Sequence, residues 1–133
     1  MRIPRVGLVI CNSGSSNSGY ITSLAATRLL TEFGDDVGIC SLPAIANKVP
    51  RQIAVVKRIP HTIVIDGCHN SCASKILDQL DIHYDEHINL EDLGIRKLGP
   101  FTALKYDQED LEKVYRALTS GVKNLLNRSG EAP

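Results

Sequence analysis

An excess of charge of either sign is missing from this 133-residue chain: 15 Lys and Arg side chains balance 15 Asp and Glu, leaving a formal net charge of zero with histidine neutral. Such a balance lacks the basic stripe that nucleic acid or an anionic membrane surface selects for. Long apolar runs are missing as well. The strongest, at residues 6–11 and 62–65, fall far short of the roughly 20 residues that span a bilayer. Arg2 and Arg5 stand near the start, but the apolar stretch after them stops at Cys11-Asn12-Ser13-Gly14, too early for a secretory signal. Repeats, low-complexity tracts and long linkers are absent. These gaps lead to an expectation of a cytoplasmic protein with no nucleic-acid or membrane partner, and they leave any protein partner unknown. Residues 1–127 are expected to form one α/β domain, and residues 128–133 a frayed tail.

What is present is a normal globular composition, 43% hydrophobic and 23% charged, in a chain long enough to bury a core without disulfide staples. Four cysteines remain to be explained: Cys11, Cys40, Cys68 and Cys72. In a reducing compartment disulfides are rare, so cysteines there point to metal binding or thiol chemistry.

Strand and helix patterns alternate along the chain. Residues 5–11 form a short Val- and Ile-rich run that reads as a strand buried on both faces. In 16–33, Ile21, Leu24, Ala25, Leu29 and Phe33 recur at helical spacing, and Gly34 is a natural stop. Residues 37–42 read as a second strand and 47–57 as a short helix with Pro50 confined to its first turn. The run Thr62-Ile63-Val64-Ile65 marks a third strand over 61–66, followed by a helix over 70–80. Residues 82–88 alternate in polarity and suggest an exposed fourth strand. The last helix is capped by Asp107 and carries an apolar stripe from Leu111 to Leu126, with Gly121 as its weak point.

This alternation predicts a three-layer α/β fold: a mostly parallel four-stranded sheet with helices on both faces, Rossmann-like or flavodoxin-like, in a strand order near 2-1-3-4. Open sheets of this kind bind ligands beyond the carboxyl ends of their strands, where the order reverses. All four cysteines fall at that edge. Cys11 ends the first strand, Cys40 lies near the end of the second, Cys68 follows the third, and Cys72 starts the next helix. Neighbouring strands are about 4.8 Å apart, so cysteines distant in sequence approach one another. Four thiolates suit a closed tetrahedral zinc site, or alternatively an iron–sulfur cluster. The helix starts near Ser16 and Asn70 supply partial positive charge and free N–H groups as outer support.

Val64-Ile65-Asp66-Gly67-Cys68 followed by Cys72-Ala73 resembles the central motif of the DGC-domain family, named for its Asp-Gly-Cys. Cys11-Asn12-Ser13-Gly14 resembles that family's first cysteine loop, Cys40 its second cysteine, and the segment from His87 to Ile95 its later portion. The family is described as zinc-binding on the strength of four cysteine ligands, and its function is unknown. The resemblance implies that Cys11, Cys40, Cys68 and Cys72 take those four places. It implies no reaction.

Several neighbours bear on the site. The loop Ser13, Gly14, Ser15 and Ser16, together with Asp66 and Gly67, is expected to surround the ligands. As a strand-to-helix loop it offers backbone N–H groups to a small molecule or anion at Cys11. It lacks the Gly-Lys-Ser/Thr of a Walker loop, and no Arg follows Cys11 closely enough to clamp a phosphate as in cysteine phosphatases. Asp66 before Gly67 reads first as a turn residue. His69 reads as a surface side chain, and His83 and His87 as polar positions on an edge strand. Lys57 and Arg58 fall at the opposite edge of the sheet. Three uses of the cysteines stay open: a metal-binding protein, an enzyme with an open coordination position, and a redox pair made by Cys68 and Cys72.

Overall fold

Short apolar runs become strands, and the amphipathic runs between them become helices. In the computed structural model, which describes residues 2–131, Val6–Ile10 (β1), Val37–Ile39 (β2), His61–Asp66 (β3) and Glu86–Asn89 (β4) form one sheet in the order β2-β1-β3-β4. Every pairing is parallel. The helices are Asn17–Phe33 (α1), Leu42–Ala46 (α2), Pro50–Arg58 (α3), Cys72–Gln79 (α4) and Gln108–Glu131 (α5).

Side chains alternate across the pleat, so β1 and β3 feed two cores. Val6, Leu8, Ile10, Ile63 and Ile65 face α1 and α5, where Ile21, Ala25, Leu29, Val114, Leu118 and Leu125 close over them. Val9 and Val64 face the other way, against Leu42, Ile45, Val56, Ala73 and Leu77 from α2, α3 and α4. These are the three layers expected from the alternation. The expectation of a mostly parallel sheet resolves to an entirely parallel one.

Element boundaries shift where local chemistry intervenes. The second strand stops at Ile39 rather than 42, because Ser41 caps a new helix: its hydroxyl accepts from the Ala44 N–H at 3.4 Å, and Pro43 sits in the first turn. The fourth strand shortens to Glu86–Asn89, and Ile82 instead turns inward as a buried residue. Ser16 caps α1 and Gly34 ends it with φ 58°. Gly121 gains a reason: a Cβ there would lie 2.7 Å from Glu86 Oε2 and 3.3 Å from Ile63 Cδ1, so its absence lets α5 approach the sheet. Helix α5 continues to Glu131, past the point where a frayed tail was expected from Arg128. Ala132 and Pro133 lie outside the described residues. Among the described residues no helix is long and apolar enough to cross a membrane.

Candidate metal centre

The carboxyl edge of the sheet is built from two loops pressed back to back. One leaves β1 through Cys11 and enters α1; the other leaves β3 through Gly67 and Cys68 and enters α4. A Cβ on Gly67 would sit 2.9 Å from the Gly19 nitrogen and 3.1 Å from the Ser18 carbonyl carbon. A Cβ on Gly19 would sit 2.2 Å from the Ser13 oxygen. Both contacts are with backbone: a side chain at Gly67 would push the two loops apart, and one at Gly19 would disrupt the β1–α1 loop itself.

Each cysteine is held through its main chain. The Cys11 N–H donates to the Ile65 carbonyl at 3.0 Å, and the Cys40 N–H to the Leu8 carbonyl at 2.9 Å, extending the ladder one residue past β1 and β2. The Cys68 carbonyl accepts from Asn89 Nδ2 at 2.7 Å and from the Ser71 N–H at 3.0 Å. Cys72 opens α4, whose first turn is fixed by Asp66. That buried carboxylate accepts from the Ala73 N–H at 2.8 Å, the Ser74 N–H at 3.2 Å and His87 Nε2 at 2.8 Å. Asp66 thus does more than shape a turn: it clamps the helix start to the end of β3 and pairs with His87. Asn12 and Ser71, both non-glycine, have positive φ of 45° and 52° beside the cysteines, the kind of local strain that gathers at functional sites.

Two cavities open among the thiols. The larger, about 650 Å³, is mostly apolar and is lined by Cys11, Cys40 and Cys72 with Leu42 and Ile76. The smaller, about 100 Å³, is lined by Cys11, Cys68 and Cys72 together with Ser13, Ser16, Asp66, Gly67 and Lys97. Cys11 and Cys72 are common to both. Cys40 borders only the first, and Cys68 only the second. Gly14 and Ser15 are exposed and line neither; Ser15 instead accepts the Thr102 N–H through its carbonyl at 3.1 Å. Among the described residues no three Cys, His, Asp or Glu side chains are grouped so as to hold a metal ion. The four thiols therefore share one edge and two adjoining cavities, while the donor set itself suits a soft cation. Burial pushes the Cys40 thiol up to about 11 from an ordinary 9.0, so Cys40 is a neutral thiol at neutral pH.

The region between β4 and α5 carries no periodic pattern in the sequence, yet it supplies parts of the site. Lys97 Nζ donates to Cys68 Sγ at 3.7 Å. Asn17, 3% exposed, accepts from the Leu98 N–H at 2.9 Å and donates through Nδ2 to the Arg96 carbonyl at 3.0 Å. This polar hub fastens the returning loop to the start of α1. No periodic pattern marks Lys97 or Asn17; the one clue in the sequence is the polar run Ser16-Asn17-Ser18 ahead of an apolar stripe. His69 is exposed, as expected, and pairs with Asp92 and Glu91 at 2.8 and 3.2 Å. His83 is exposed, and Lys57 and Arg58 lie at the end of α3, exposed and before β3.

Fold and site together define an open, doubly wound parallel α/β protein with a set of free thiols at its topological switch point. The sequence model of the DGC domain family matches residues 8–118, and the chain belongs to that family. The match spans all four cysteines and the Asp66-Gly67-Cys68 motif. Neither a search of curated proteins nor one of solved structures returned a match.

Proposed function

We propose that the protein binds a metal ion, zinc, through Cys11, Cys40, Cys68 and Cys72. The observation that supports this most is the wall formed by Cys11 and Cys72 between two cavities, with Cys40 bordering one and Cys68 the other. Side-chain movements toward that wall are needed to bring the sulfurs to a common ion at about 2.3 Å. The starts of α1 and α4 favour the negative charge that four thiolates collect. Family membership supports a metal-binding role. Binding requires the neutral Cys40 thiol to lose its proton, so metal uptake releases protons.

Elemental analysis of protein purified anaerobically tests this reading. About one zinc per chain in a colourless protein is expected, lost in each of the four single Cys→Ser variants. A brown protein absorbing visible light would instead indicate an iron–sulfur cluster held by the same thiolates.

The Lys97–Cys68 contact favours a second reading. A cation beside one thiol, at a cavity also lined by Cys72, suits a thiol-dependent reaction or a Cys68/Cys72 redox pair. An enzyme with three thiolates on the metal and an open position is the intermediate case. Retention of metal by Cys68→Ser alone would favour that open site. A reversible disulfide in protein that binds no metal would favour the redox pair.

A further inference from the structure

The loop between β4 and α5 breaks the surface pattern of the molecule. Among the described residues four large hydrophobic side chains are exposed, and three stand on this loop: Leu98 at 50%, Phe101 at 92% and Leu104 at 82%. Phe101 also has φ 63°, a left-handed conformation that is costly for a bulky residue. A loop that needed only to turn there would use Gly or Asn.

The frame beneath these side chains is tied down. The Thr102 N–H donates to the Ser15 carbonyl at 3.1 Å. Thr102 Oγ1 donates to the Gly99 carbonyl at 2.7 Å and accepts the Asn17 N–H at 3.0 Å. With Leu98 held on Asn17 as well, the backbone that presents the apolar side chains is ordered before any partner arrives, which lowers the entropic cost of docking.

Charge gives the surface a sign. From residue 93 to residue 106 there is no Asp or Glu, while Arg96, Lys97 and Lys105 are present. Lys97 is turned to Cys68. Arg96 and Lys105 are exposed, and among the described residues neither is in an ion pair.

We propose that Leu98, Phe101 and Leu104, flanked by Arg96 and Lys105, form a docking surface for a partner protein that presents an apolar patch rimmed by carboxylates. Aromatic and Arg side chains dominate interface hot spots, and opposite rim charges select the partner. A polybasic membrane site takes a cluster of about four to eight cations, and only two are free here. A second copy of the chain is a poor match: the carboxylates near its remaining exposed hydrophobic, Ile39, are Asp35 and Asp36, already paired with Arg2 and Arg5. The same loop places Lys97 on Cys68, so a docked partner would stand beside the smaller thiol cavity. The proposal does not depend on metal binding.

The test is a random-peptide display library panned against the full chain, with the enriched peptides then synthesised. They are measured against wild type, the triple variant Leu98→Ser/Phe101→Ser/Leu104→Ser, and the double variant Arg96→Glu/Lys105→Glu. Expected are peptides rich in Asp, Glu and aromatic or Leu residues, with affinity reduced at least about tenfold in both variants. Circular dichroism of both variants should match wild type, since every altered side chain faces solvent. Enriched peptides without acidic residues, or binding that neither variant weakens, would overturn the proposal. So would sedimentation showing a dimer of the chain that the triple variant dissociates, or binding to phosphatidylserine vesicles that the same variants abolish.

Discussion

The two faces of the sheet are filled by different means. On one, the long helices α1 and α5 close over Val6, Leu8, Ile10, Ile63 and Ile65 with a continuous layer of buried aliphatic side chains. On the other, three short helices cover Val9 and Val64, and Cys11 and Cys40 pack at the margin of that smaller core. The first face holds the fold together; the second trades apolar contact for thiols and for the Asp66 clamp at its carboxyl end. Stability and chemistry are thus separable by face, and substitutions on either side can sharpen or break that division.

The largest effect is expected from Leu118→Ala on the α5 face, where the side chain is fully buried. Removing it should cost about 2–5 kcal/mol in denaturant unfolding, with the thiols of the remaining folded protein reacting as in wild type. A change in thiol reactivity would show that the faces are coupled.

Next is Cys40 on the thiol face. The thiolate is the reactive form, and a group raised to about 11 from 9.0 is roughly a hundredfold less ionised at pH 8. In reduced, metal-free protein, mass spectrometry should find Cys40 alkylated about a hundredfold more slowly than in the unfolded chain. Equal rates would mean that the smaller core does not shield it.

Gly67→Ala should cost about 1–3 kcal/mol by forcing the two cysteine loops apart, and should lower metal retention besides. Gly14→Ala, where a Cβ meets nothing within 4 Å, is the control and should do neither. Matching losses from both would count against the back-to-back loops.

The smallest effect belongs to His69. Its hydrogen bond to Asp92, aided by the charges of Glu91 and Asp92, raises its pKa above the ordinary 6.5. The pairing therefore adds stability below pH 6.5, where His69 is protonated in both states. That increment is lost as the pH rises through the higher folded value. Because His69 is exposed, the slope should be slight, and His69→Asn should remove it in thermal melts taken across this range.

The aliphatic face was legible in the sequence because its helices are long and periodic; the stripe from Leu111 to Leu126 specifies α5 by itself. The strand order followed from right-handed βαβ connections, and His61–Asp66 was bounded as the structure has it. The thiol face was harder to read. Its helix α2 rests on one Ser41 cap and Pro43 within five residues, too short for a period to emerge. The positions of the four cysteines at one edge followed from topology, since each closely follows a strand or starts a helix. Their division between two cavities did not, because it depends on how the loops and helix starts pack around the thiols rather than on strand order. Nor did Lys97, Asn17 and Thr102, whose contacts join residues 29 to 85 apart in the chain through an irregular loop. The sequence predicts His87 to be a surface residue of an edge strand. It is that, and its ring also reaches the buried Asp66 because residues 87 and 64 are register partners and 66 shares the face of 64.

The central claim is that Cys11, Cys40, Cys68 and Cys72 converge on one ion. X-ray absorption at the zinc edge, on protein loaded with one equivalent of zinc under reducing conditions, measures this directly. Four sulfur scatterers at about 2.3 Å are predicted. A first shell dominated by nitrogen or oxygen, or one holding only two sulfurs, would contradict it.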